Sequence, residues 1–486
     1  MAALRGLRKK SRHQVSVIRD SGVWNFNINR VNQFVLWGVF VVAVLHGGLW
    51  LVLSDFTDVP GVPDSLQYDE IARNLIAGRG YALSRGGGYE PTLVREPGYP
   101  AFLAVVYSIA GHSRPAAKLV QVLLFGVITL LAYVLALELL VSRRAALAVS
   151  GLTLGSFSLA SYSTLLLSEN LITLVLLIAI ITASRAVRRD GFRLLVITGG
   201  LLGVATLIKA ILLPLVFFLA LMVFLDRGRT KSAYLGAGLL ILGFSLVVGP
   251  WSWRNYQQFG TVAVAARGGA ALYLTTLKLD DSMPDLLRRT IFGLSQQLGR
   301  KWYPGQNDLG LRDTERLNAR WEDLTGRGMN EWEADSALLR EGVARIIERP
   351  MKHVVLAGAE VLNLAAFGDV VVMVAPTLQA SFPGGKEGVL VAKLLFRLVG
   401  YVIFFMGLLG LMMIPRRNRP WAFVATVVGY TLIAYALIYA DRRYVVPLIP
   451  ILNLLVVSWW LRWPGSRRSV PGESRQQPTE APRSSR

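Results

Sequence analysis

The chain has 486 residues, a net charge of +21, 53% hydrophobic and 17% charged residues, and no cysteine. Soluble domains carry about 25% charged residues; here the basic residues fall between long apolar runs, which excludes a nucleic-acid module and the soluble globular classes. The missing cysteines exclude a disulfide framework, a thiolate zinc site and a cysteine nucleophile, and His13, His46, His112 and His353 form no zinc-binding pattern.

A helix needs about 20 apolar residues to cross a bilayer. The runs that approach this length are 34–53, 117–141, 145–165, 169–184, 194–208, 211–225, 233–250, 390–414, 421–439 and 445–463. The expected fold class is therefore an all-α polytopic membrane protein with about ten spans. Lys209 divides 194–225 into two short spans. The shorter or interrupted apolar stretches 97–112 and 353–375 read as re-entrant or interfacial helices.

Charge sets the orientation. Segment 1–32, the short loops at 142–144, 185–193, 226–231 and 416–419, and the tail from Arg462 together carry +20 of the +21. Counted in chain order, these segments fall on one side. The positive-inside rule makes that side cytoplasmic, with both termini there. Loops 54–96 and 251–352 then lie outside. The expected organisation is a basic segment 1–33, a transmembrane module 34–250, an outer loop 251–352, a second module 353–463 and a disordered tail 464–486 that can meet anionic lipid heads. The first span reads as a signal anchor rather than a cleaved leader. No internal repeat is visible, which weakens an inverted-repeat transporter.

Ionisable groups near the membrane interior are functional candidates by default. In P-D-S-L-Q-Y-D-E-I-A-R-N-L, Asp64, Tyr68, Ile71 and Leu75 share a helical face. Composition alone favours Asp64 as a plain helix cap, with Asp69 and Glu70 on a solvated face and Gly78 and Gly80 ending the helix. Arg95, in R-E-P-G-Y-P, either binds an anion or snorkels. Glu169, in S-E-N, lies between two apolar runs and is either a paired or wet carboxylate or part of a capped hairpin. Lys209 needs an anion or a snorkelling path. Arg254, in P-W-S-W-R-N-Y, and Arg442 and Arg443, in D-R-R-Y, stand at outer span ends beside Trp or Tyr. Cations there suit a phosphate arriving from the bilayer. A carboxylate beside them suits a base that deprotonates a hydroxyl. The chemistry indicated is group transfer from a lipid phosphate carrier. No nucleotide-binding motif is present. A transporter or flippase for an anionic lipid-linked substrate, and a purely structural subunit, are the competing readings.

The motifs D-S-x-x-Y-x-x-I-A-x-N-L-x-x-G-x-G-Y, R-x-P-G-Y-P, S-E-N-L, L-I-K, P-W-x-x-R-N-Y and R-Y-x-x-P-x-x-P occur in this order. The ordered set resembles the GT-C superfamily of polytopic glycosyltransferases, in particular bacterial relatives of the protein O-mannosyltransferases and of the lipid A aminoarabinose transferase. The resemblance spans roughly residues 30–460. It implies transfer of a sugar from a polyprenyl-phosphate donor to a protein, lipid or glycan hydroxyl at the cell envelope. It makes Asp64 the catalytic acid or base, with Asp69 as the alternative, because the family's Asp-Glu pair corresponds here to Asp69-Glu70 further along. It puts Glu169 at the second acidic position and makes Lys209, Arg254, Arg443 and Arg95 donor-phosphate ligands. Tyr68, Tyr444 and Trp302 become lipid or acceptor contacts. A divalent metal, Mg or Mn, at Asp64 and Glu169 is an open alternative.

Overall fold

The computed structural model describes residues 30–54, 63–189, 191–226, 228, 230–368, 376–414 and 418–462. The expected tail 464–486 and most of segment 1–33 lie outside the described residues, as does 369–375 of the second interfacial stretch.

The chain is helical apart from one hairpin. α1 is Arg30–Leu53, and α2, Pro63–Ile76, opens the first outer loop. β1, Ala82–Arg85, pairs with β2, Gly88–Pro91, around Gly86 and Gly87. Both turn glycines have positive φ, the conformation that a two-residue hairpin turn requires. α3, Gly98–Ala110, packs on α2 and on α4, Arg114–Leu140. α3 is about 20 Å long, too short to cross the hydrocarbon layer. The stretch 145–165, expected as one span, is two helices: α5, Arg143–Leu154, and α6, Phe157–Tyr162. The break falls at Gly155-Ser156, where the Ser156 hydroxyl accepts from the Leu159 amide and starts a new helix.

α7, Glu169–Arg189, and α8, Phe192–Ile208, follow. At Lys209 the backbone leaves the helix, and a short turn leads to α9, Leu215–Asp226. α10, Lys231–Phe259, is about 44 Å long, so its outer end stands clear of the hydrocarbon. α8 and α10 approach closely through glycines. A Cβ on Gly199 would lie 1.9 Å from the Leu240 carbonyl oxygen, and one on Gly243 would lie 2.1 Å from that of Val196. Small residues at such positions let membrane helices touch backbone to backbone.

The outer loop 251–352 is not an open loop. α11, Gly268–Leu277, α12, Met283–Leu294, α13, Gln296–Trp302, α14, Leu309–Gly326, and α15, Glu331–Glu348, form a small helical domain. Its core holds Ala270, Leu324, Ala334, Ala337 and Leu338. α16, Pro350–Ala365, is about 24 Å long and buries one face. α17, Pro376–Ser381, precedes α18, Gly385–Met412, and α19, Arg419–Ile438. A turn at 442–448 enters α20, Ile449–Arg462.

Among the described residues seven helices are long and apolar enough to cross a membrane; α8 and α9 are apolar but shorter. α7 and the segment 442–462 are central, 72% buried over their apolar windows, whereas α1 is peripheral at 22%. The two ends of the bundle differ. At one end Arg185 pairs with Glu138, Arg188 donates to the Glu138 carbonyl, and Arg462 donates to that of Met413. The other end gathers Asp64, Glu169, Lys209 and Arg443 beneath the outer domain.

Candidate active site

α2 begins at Pro63, so Asp64 sits inside the first turn. Its carboxylate is shared between two guanidiniums. One oxygen pairs with Arg95, and the other lies 2.7 Å from Arg443. Arg95 is buried, donates through Nε to Gln67 at 2.6 Å, and lies 5.5 Å over the Tyr68 ring. Tyr68 in turn meets Tyr99 edge to face at 5.0 Å. Arg443 also reaches the Tyr444 hydroxyl at 3.3 Å. Burial by itself raises the Asp64 pKa, but Arg443, Arg95 and Arg267 outweigh it and hold this carboxyl well below the usual carboxylate range.

A second ion pair adjoins the first. Lys209 Nζ lies 3.5 Å from Glu169, and 5.2 Å over the Tyr444 ring. Glu169 is 1% exposed and its other oxygen has no hydrogen-bond partner among the described residues. Tyr444 stacks on Tyr435 with centroids 4.4 Å apart. Tyr444 is thus the piece shared by both pairs.

The R-E-P-G-Y-P turn joins them structurally. Glu96 accepts the Ala210 amide at 3.2 Å, just past Lys209. A Cβ on Gly98 would lie 2.6 Å from Ile208 and 2.9 Å from the Leu207 carbonyl oxygen. Glycine therefore lets the Arg95 turn seat directly on the end of α8.

Three sequence candidates lie elsewhere. Asp69 is fully buried within its own set of partners: Tyr107 at 2.7 Å, Arg114 at 2.8 Å, His112 Nε2 at 3.1 Å and Arg73 at 3.3 Å. It clamps α2 to the α3–α4 turn rather than lying on a solvated face. Arg254 donates to the carbonyls of Thr92 and Tyr81, both at 3.1 Å, and packs 4.9 Å over Trp251. It braces the hairpin, and no ion pair joins it to the cluster among the described residues. Trp302 is 66% exposed at the end of α13. A cavity of about 450 Å³ lined by Arg327, Met329, Trp332, Ser336 and Arg340 also lies in the outer domain and shares no residue with the charged cluster.

The sequence reading passed over Arg267 and Glu96. Arg267 precedes α11 and is within electrostatic reach of Arg95, Asp64, Tyr444 and Glu96. Its sequence signal is a lone cation between the small apolar run 262–266 and Gly268-Gly269.

The donor set does not fit a divalent cation. Both Asp64 oxygens face guanidiniums, Glu169 faces Lys209, and no group of three or more metal-ligating side chains occurs among the described residues.

The family model for dolichyl-phosphate-mannose-protein mannosyltransferases matches residues 91–253. A search of curated proteins found no match. Among solved structures, the chain is similar to the archaeal oligosaccharyltransferase AglB from Archaeoglobus fulgidus in complex with an inhibitory peptide and a dolichol-phosphate. That likeness has 13% identity and a TM-score of 0.45 over 89% of this chain and 50% of that one. An A. fulgidus oligosaccharyltransferase tethered with an acceptor peptide gives 14% identity and a TM-score of 0.48 over 89% and 49%. ArnT from Cupriavidus metallidurans bound to undecaprenyl phosphate gives 16% identity and a TM-score of 0.38 over 87% and 78%. The chain spans about half the length of the archaeal chains it matches. The GT-C resemblance carried by the ordered motifs is thus borne out by a match to the dolichyl-phosphate-mannose-protein mannosyltransferase family over residues 91–253, about a third of the chain.

Proposed function

We propose that this chain is a membrane glycosyltransferase. It moves a sugar from a polyprenyl-phosphate donor to a hydroxyl acceptor outside the cytoplasm, with inversion at the anomeric carbon. The observation that carries the reading is the convergence of Asp64, Arg95, Arg443, Lys209 and Glu169 at one end of the helical bundle. The family match over 91–253 covers three of these five residues.

The donor enters between helices, and Lys209, Arg443 and Arg95 take its phosphate. A phosphate draws these guanidiniums away from Asp64, which loosens their hold and makes the carboxylate a better base. Asp64 then accepts the proton of the acceptor hydroxyl. The hydroxyl oxygen bonds to the anomeric carbon as the bond from that carbon to the phosphate oxygen breaks. Polyprenyl phosphate leaves with one more negative charge, which the fixed cations stabilise. Tyr444 and Tyr435 form an aromatic wall beside the phosphate site, and Tyr68 orients Arg95. The basic short loops support a cytoplasmic side for both termini.

Lipid mass spectrometry on a deletion strain, complemented with wild type or Asp64→Asn, tests the reading. One polyprenyl-phosphate sugar should accumulate in the deletion and the variant, and clear with wild type. An unchanged lipid-linked sugar pool, with redundant enzymes removed, would sink it. Flux of an anionic lipid without a transfer product would favour the flippase reading.

A further inference from the structure

Trp302 stands apart from the charged cluster, on a helix pair that exposes other apolar side chains as well. α12 has two faces. On one, Arg289 pairs with Asp281 and Asp313, Arg288 donates to Gln306, and Phe292 stacks on Tyr303 with centroids 6.4 Å apart. A Cβ on Gly299 would lie 2.3 Å from the Phe292 ring, so α13 sits tight against this face. The other face looks away from the domain. Met283 is 78% exposed and Leu287, one helical turn on, is 56% exposed; Thr290 follows on the same side, also exposed. At the end of α13, Trp302 follows Arg300 and Lys301. Both cations are exposed and make no ion pair or side-chain hydrogen bond among the described residues.

One contact fixes the level of this pair. Arg442 donates to the Gly293 carbonyl at 2.8 Å, at the C-terminal end of α12. Arg442 opens the turn that follows α19, and its neighbour Arg443 pairs with Asp64. The end of α12 is therefore held at the mouth of the helical bundle, where a span emerges from the bilayer. Ser295 caps α13 directly after it, accepting from the amides of Gln297 and Leu298. Both helices thus run from the anchored point, α12 over about 18 Å and α13 over about 10 Å.

Isolated exposed apolar side chains need no explanation, but a group of them rimmed by polar residues marks an interaction surface. Segment 283–302 has four basic residues and one acid, and that acid, Asp285, is taken up by Ser282 and Arg288. A helix with Met and Leu on one face, a neighbouring Trp and spare Lys and Arg has the chemistry of a helix that lies in a lipid headgroup layer. Cations at that level attract anionic lipids, and a Trp ring settles at the same depth.

We propose that α12 and α13 are a membrane-surface contact of the outer domain: Met283, Leu287 and Trp302 enter the headgroup region of the leaflet on the cluster's side, and Arg300 and Lys301 meet anionic lipid phosphates there. The contact stands independently of the transferase reading.

The chain has no cysteine, so a single introduced one reports one site. The test places a nitroxide on Met283→Cys and, separately, on Leu287→Cys in the full chain, in nanodiscs of phosphatidylcholine with phosphatidylglycerol. Oxygen, which concentrates in lipid, should relax both labels more than a water-soluble nickel complex does. Brominated lipids should quench wild-type tryptophan fluorescence more than that of Trp302→Phe. Labels that the nickel complex relaxes more than oxygen does lie in water and overturn the contact. Labels shielded from both agents are covered by protein, and spin–spin broadening between them identifies a second copy; either result overturns the lipid assignment. Equal quenching of wild type and Trp302→Phe removes Trp302 from the surface. The charge contribution is read on the Leu287 label, which should become shallower in phosphatidylcholine alone and when Arg300→Gln is combined with Lys301→Gln. A depth that neither change alters overturns the role of the two cations.

Discussion

Asp64 and Asp69 lie five residues apart on α2, both buried and both ringed by cations, yet they are built differently. The partners of Asp69 come from its own helix, from α3 and from the turn into α4, within 45 residues, and each is a direct contact. The partners of Asp64 come from residues 95 and 443, and the charge of Arg267, from the outer domain, also favours its ionised form. The first set is local and closed. The second joins Arg95 to Arg443 from the far end of the chain, and Arg443 also pairs with Asp441 at 3.8 Å. Buried ion pairs are weak sources of stability, because desolvation offsets much of their attraction. A local closed set is what a helix clamp requires. A set that brings cations together from the two ends of the chain is what an anionic substrate requires.

The largest expected effect tests this contrast directly. Asp64→Asn should lower turnover by about a thousandfold, within the usual range for loss of a general base, with the protein still inserted and folded. Asp69→Asn should keep turnover within about threefold per folded molecule but lower the melting temperature, because breaking a buried pair costs about 3–5 kcal/mol. Transfer kinetics and thermal unfolding on both purified variants decide it. If Asp69→Asn is the inactive but stable one, the two roles are exchanged.

Much of this contrast is legible in the sequence, within a definite limit. Apolar runs report helices because a bilayer leaves the backbone no other partner. Motif residues at the outer ends of those runs report depth. Asp64, Arg95, Glu169, Lys209 and Arg443 all follow from depth and sign, and they do meet. Depth says nothing about direction around the helix. Arg254 is at the same level as the others but points to the carbonyls of the hairpin. Asp69 reads as a solvated acid because its partners, Tyr107, His112 and Arg114, lie across a turn whose geometry no periodicity describes. The helix break at Gly155-Ser156 is hidden inside an apolar run. α10 continues past its last apolar residues because water, not lipid, surrounds its end. Arg267 stands between a small apolar run and Gly268-Gly269, and the Leu93–Ala266 contact and the Asp335 cap, which the sequence does not show, hold the backbone on either side of it.

The Asp69 clamp also carries a pH signature of intermediate size. Burial raises its pKa, but hydrogen bonds from Arg114, Tyr107 and His112 outweigh this and bring it below 3.8. A carboxyl depressed in the folded state stabilises the fold above its unfolded pKa, and that stabilisation fades as pH falls through the folded value. The stability gap between wild type and Asp69→Asn should therefore be constant from about pH 8 to pH 5 and narrow below about pH 4. Denaturation midpoints at a series of pH values measure it. A gap that widens in acid would mean that Asp69 is not held as an ion.

The smallest expected effect concerns Arg254, and it separates bracing from binding. Its contacts are to backbone carbonyls of the first outer loop and to aromatic faces, so removing it leaves the Thr92 carbonyl short of a donor, while the Tyr81 carbonyl keeps the Thr92 amide. That costs about 1–3 kcal/mol. The hairpin it braces is also held by Glu331, which accepts from Arg85, from the Thr92 hydroxyl at 2.9 Å and from the Leu93 amide at 2.5 Å. With that second anchor in place, Arg254→Ala should lower the melting temperature slightly while the apparent donor affinity stays within about twofold. A phosphate ligand would show the reverse: little change in melting, and donor binding weakened by about tenfold. Donor titrations and melting curves on one preparation distinguish the two. The second pattern would return Arg254 to the phosphate site and require the hairpin to move when the donor arrives.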